Sequence, residues 1–73
     1  MADQHKVHAL ITVTENPEAR GTTVTIEVMF ADDNELILRM NYESRLAPKA
    51  AYVVASDLIQ RFVEVENYQI ENY

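Results

Sequence analysis

In Thr22-Thr23-Val24-Thr25-Ile26-Glu27-Val28-Met29-Phe30 the residues from Thr23 to Val28 alternate polar and apolar side chains. A period of two is the pattern of a half-buried strand, and its β-branched residues suit a pleated surface. Val24, Ile26, Val28 and Phe30 fall on one face, opposite Thr23, Thr25, Glu27 and Met29. Upstream, residues 6–14 repeat the pattern, with Val7, Ala9, Ile11 and Val13 on one side and Lys6, His8, Leu10, Thr12 and Thr14 on the other. The link Glu15-Asn16-Pro17-Glu18-Ala19-Arg20-Gly21 reads as a hairpin loop, because Asn-Pro favours turn initiation and Gly21 can supply a positive φ. Downstream, Ala31-Asp32-Asp33-Asn34 is a polar turn. Residues 35–42 then alternate again, with Leu36, Leu38, Met40 and Tyr42 against Glu35, Ile37, Arg39 and Asn41. Three strands with short links predict an antiparallel meander.

The period changes after Ser44. Pro48 suits the first turn of a helix, where its missing N–H costs nothing. From there Ala51, Val54, Ala55, Leu58, Phe62 and Val65 recur at helical spacing, which predicts an amphipathic helix over 47–65. Asp57 and Arg61 stand four apart in the favourable order. No glycine marks the helix end. Residues 66–73 read as an acidic and aromatic tail, with a short strand continuing Val63-Glu64-Val65 as the alternative. The expected architecture is α+β: one domain over residues 1–73, ordered over 6–65. In it a three-stranded antiparallel meander is covered on one face by a C-terminal amphipathic helix, in the order β-β-β-α.

Composition narrows the function classes. The 73 residues are 48% hydrophobic and 25% charged, the balance of a soluble globular domain. No window approaches the length of apolar chain that crosses a bilayer. Met1-Ala2-Asp3-Gln4-His5-Lys6 has no basic region leading into an apolar run, so a cytoplasmic location is expected. With no cysteine there is neither a disulfide nor a thiolate for zinc or catalysis. A domain this small commonly needs reinforcement, and oligomerisation is the form left open. The net charge of −6 argues against loose electrostatic binding of nucleic acid and suits a basic protein partner.

No pattern of catalytic or ligand residues stands out. His5 and His8 are three apart, a spacing that in a strand sends them to opposite faces. Asp32-Asp33-Asn34-Glu35 resembles part of a calcium loop but lacks its glycine and closing glutamate. Neither Ser44 nor Ser56 sits in a nucleophile motif, and a single glycine, Gly21, cannot form a phosphate cradle. No enzyme activity, metal or cofactor is expected.

What remains is surface. Outside the expected core stand Tyr52, Ile59 and Val63 on the helix shoulder and Leu10, Met29 and Ile37 on the outer sheet face. Asp57, Glu64, Glu66 and Glu71 form a candidate acidic end. The expected function is therefore a non-catalytic interaction module of accessory, inhibitor or adaptor type, self-associating as a homodimer. The alternative is a nucleic-acid reader that lays the open sheet face on its target through Lys6, Arg20, Arg39 and Arg45.

Overall fold

The computed structural model describes residues 5–18 and 20–70. Strands β1 (His5–Asn16), β2 (Gly21–Phe30) and β3 (Leu36–Ser44) are followed by helix α1 (Pro48–Val65) and a short strand β4 (Tyr68–Ile70). β1, β2 and β3 form the antiparallel meander, with Ile11 opposite Ile26 and Ile26 opposite Met40. After α1 the chain returns beside β1, and β4 runs parallel to it, with Tyr68 facing His5 and Ile70 facing Val7. The fold is α+β with one helix and a four-stranded mixed sheet in the order β3-β2-β1-β4. Residues 68–70, expected as tail, are thus a strand; residues 71–73 lie outside those described.

The helix stop explains the extra strand. Asn67 takes φ 62°, the left-handed conformation that commonly ends a helix and that Asn tolerates without glycine. The N–H of Glu66 donates to the Phe62 carbonyl at 3.1 Å and that of Asn67 to the Glu64 carbonyl at 3.2 Å. The turn is therefore closed, and the chain leaves it aimed along the sheet edge. Tyr68 then sits between Phe30, which it meets edge-on, and Phe62, tilted to it, at centroid distances of 6.0 and 6.5 Å, which anchors β4.

Both hairpin turns are closed by a residue other than glycine at positive φ. In the first hairpin Arg20 holds the positive φ, at 51°, and Gly21 does not. In the second, Asn34 sits at φ 58°, its N–H donates to the Phe30 carbonyl, and the Asp33 carboxylate accepts the Glu35 N–H at 3.0 Å. Just beyond, Val28 faces Leu38 but Met29 faces Leu36, so Ile37 is the extra residue of a β-bulge. The bulge reverses the expected alternation. Ile37 turns inward and packs against the core, while Leu36 takes the outer position opposite Met29 and is 47% exposed.

The buried core among the described residues is Val7, Val24, Ile26, Val28, Ala51, Ala55, Ile59 and Val63. On the helix, the buried stripe is thus Ala51, Ala55, Ile59 and Val63. The stripe expected from sequence is turned away by roughly 60° at about 100° per residue. Ile59 and Val63, expected on the surface, lie in the core at 1% and 4% exposure, whereas Val54, Leu58 and Val65 face outward. The fourth strand is the physical cause. Adding β4 beside β1 moves the middle of the sheet from β2 toward β1, and α1 follows it, packing on β1, β2 and β4 and barely on β3. Two alanines let the helix approach that surface closely.

One buried polar group ties the layers together. Thr22 is 1% exposed, and its hydroxyl donates to the Leu46 carbonyl at 2.8 Å, fixing the β3–α1 link to the sheet. Thr22→Val is expected to lower stability by about 1 kcal/mol, read by chemical denaturation, because shape is kept while the bond is lost.

Candidate interaction surface

Turning the helix toward β1 leaves a groove on its other side. Met40 of β3 forms one wall, and Leu58, Ile59, Arg61, Phe62 and Val65 of α1 form the rest, around a volume of about 350 Å³. Apart from the Arg61 head group the lining is apolar. Leu58 is 43% exposed and Val65 is 80% exposed, and Val54, one turn before Leu58, is half exposed. A contiguous apolar strip of this kind marks a contact surface more often than scattered residues do. Sequence periodicity did not find it, because α1 carries two adjacent apolar stripes and only the sheet decides which one is buried. Of the shoulder expected on the helix, Tyr52 alone is exposed.

The outer sheet face can be read row by row across β1, β2 and β3. His8, Met29 and Leu36 align in one row, and Leu10, Glu27 and Arg39 in the next. Leu10 and Met29 are therefore diagonal neighbours, as expected, but Leu36 rather than Ile37 completes the group. The remaining rows, Thr12-Thr25-Asn41 and Thr14-Thr23-Glu43, are polar.

The basic candidates do not converge. Arg39 donates to Glu27 at 2.9 Å across the strands, so its charge is balanced on the face it was expected to make cationic. Lys6 stands on the same face at the β4 side of the sheet, aligned with Gln69. Arg20 and Arg45 lie at the far end, lining a shallow cleft of mixed polarity with Glu15 and the start of α1. Among the acidic candidates, Asp57 pairs with Arg61 at 3.3 Å, both well exposed. Glu64 and Glu66 are exposed at the C-terminal end of α1, and Glu71 lies outside the described residues.

The residues tested for chemistry are dispersed. His5 contacts Phe30 edge-on at 6.0 Å on the helix side of the sheet, while His8 belongs to the opposite face. Ser44 accepts the Leu46 N–H at 3.1 Å, which holds the link into α1. Among the described residues no group of three or more His, Cys, Asp or Glu side chains is placed to hold a metal ion. No helix among them is long and apolar enough to cross a membrane. Compared with protein-family models, curated proteins and solved structures, the chain matches none.

Proposed function

We propose that this protein is a non-catalytic, self-associating interaction module of accessory, inhibitor or adaptor type. The observation that carries this reading is the apolar groove between α1 and β3, open to solvent beside a strand the helix barely covers. Covering it would remove Leu58, Val65 and part of Met40 from water at roughly 25 cal/mol per Å² of apolar surface. The exposed carboxylates of Asp57, Glu64 and Glu66 near the groove end would favour a basic protein partner and speed encounter with it. A cysteine-free chain suits the reducing cytoplasm.

Sedimentation equilibrium across a concentration series tests the self-association. The expected result is a mass of two chains that falls to one on dilution. A single-chain mass up to millimolar concentration overturns the reading.

One observation favours a second reading. α1 covers only one side of the sheet, so the face bearing Lys6 and Arg39 is bare and could be laid on a nucleic acid. The Glu27–Arg39 ion pair and the net charge of −6 weigh against it. A labelled duplex bound with a steep salt dependence would move the function to that face.

A further inference from the structure

We infer that the partner in self-association is a second copy joined edge to edge through β3, antiparallel, with Asn41 on the two-fold axis. The inference rests on the self-association proposed above and supplies its geometry.

Among the described residues β3 pairs only with β2, so the opposite edge of its nine residues offers N–H and C=O groups that template strand addition. Among the described residues β4 reaches only His5, Lys6 and Val7, so β1 beyond Val7 is the other edge to weigh. The two edges differ in what the helix presents above them. On the β3 side lie Leu58, Phe62 and Val65, around the apolar groove. By the helical wheel the other flank of α1 carries Tyr52, Ser56 and Gln60. Only pairing through β3 brings a second copy's side chains to the groove.

The register follows from pleat, bulge and charge. With both helices on one face, equivalent residues of the two copies point the same way, so the axis must pass through a residue. An axis at Arg39 sets two like charges opposite each other. An axis at Met40 draws the bulged Ile37 into the pairing. An axis at Tyr42 sets Arg39 against the second copy's Arg45. An axis at Asn41 instead pairs Leu38 with Ser44, Arg39 with Glu43 and Met40 with Tyr42, each twice by symmetry. It uses the whole regular stretch 38–44, stops short of the bulge, and sets opposite charges together. The product is an eight-stranded sheet, doubling the four of one copy, with two helices flanking a trough floored by Leu38, Met40 and Tyr42 of both chains.

Charge reversal tests this register. Arg39→Glu or Glu43→Arg alone should weaken the dimer about tenfold, because two attractive pairs become repulsive. The double variant R39E/E43R should return to within about threefold of the parent. The Glu27–Arg39 pair stays broken in it, so recovery reports the contact between chains. Circular dichroism checks that each variant is folded. The absence of cysteine permits a second readout: Asn41→Cys should form a disulfide-linked dimer on mild oxidation, well ahead of the exposed Thr12→Cys on β1. A dimer whose strength ignores the charge swap, or in which Asn41→Cys links no faster than Thr12→Cys, overturns the β3 geometry and leaves self-association standing. A wild-type chain that stays monomeric overturns both.

Discussion

Ile59→Ala is expected to destabilise the fold by about 3 kcal/mol, lowering the thermal midpoint by about 15 °C. Ile59 is one of only two isoleucines in a buried core otherwise built from four valines and two alanines. Neither β1, β2 nor the alanines beside it can move in to fill the space its removal leaves. A domain of this length is stable by roughly 4–11 kcal/mol, so one truncation removes a large share. Thermal and urea unfolding check it, with Tyr52→Ala as the companion expected to change stability little. If Ile59→Ala left stability within about 0.5 kcal/mol, the helix would be turned as the sequence stripe suggested, with Ile59 on the surface.

That alternative is instructive about what the chain discloses. The three long strands were legible because each carries apolar residues at a spacing of two along one face, and Pro48 marked the helix start. The rest depended on non-local facts. Tyr68-Gln69-Ile70 is too short to carry a periodicity signal, and it becomes a strand because Asn67 closes the helix and Tyr68 finds Phe30 and Phe62. The bulge at Ile37 is likewise invisible in Leu36-Ile37-Leu38, three apolar residues that fit either phase. One missed strand then propagated. Helical spacing alone admits Val54, Leu58 and Val65 beside Ala51 and Ala55 as the inner stripe. With β4 the sheet centre shifts, Ala51 and Ala55 stay inside, and Ile59 and Val63 join them in place of Val54, Leu58 and Val65. The helix surface shifts with it: Ile59 and Val63, expected to meet a partner, are core, Tyr52 stays exposed, and Leu58, Phe62 and Val65, expected in the core, line the groove.

The edges sharpen the physical argument for assembly. Natural sheets protect an exposed edge with proline, an inward-pointing charge or a bulge. β3 has a bulge at its first residues only, and from Leu38 to Ser44 it pairs regularly with β2 and carries no proline. Its charges, Arg39 and Glu43, lie on the outer face and are of opposite sign. Such a segment discriminates among registers more than it repels a partner, which fits an edge kept open for one specific neighbour.

Leu58→Glu should separate assembly from folding. Leu58 lines the groove and is 43% exposed, so its side chain contributes only part of its burial to the single chain. Glutamate is nearly as good a helix former as leucine, and it would stand three residues before Arg61, within reach of it. The variant should therefore keep its unfolding free energy within about 1 kcal/mol at dilutions where both proteins are single chains. Association should behave differently. A carboxylate placed in the covered groove must lose water without an apolar neighbour able to replace it, weakening the dimer by about 2 kcal/mol, or ~30-fold in dissociation constant. Because dimerisation stabilises the folded state by mass action, the wild-type thermal midpoint should rise with protein concentration, and that of Leu58→Glu should begin to rise only at about 30-fold higher concentration. A variant that dimerises as tightly as the parent would remove the groove from the interface, even if β3 pairing persisted. Loss of stability in the dilute monomer would instead assign Leu58 to the core, beside Ile59.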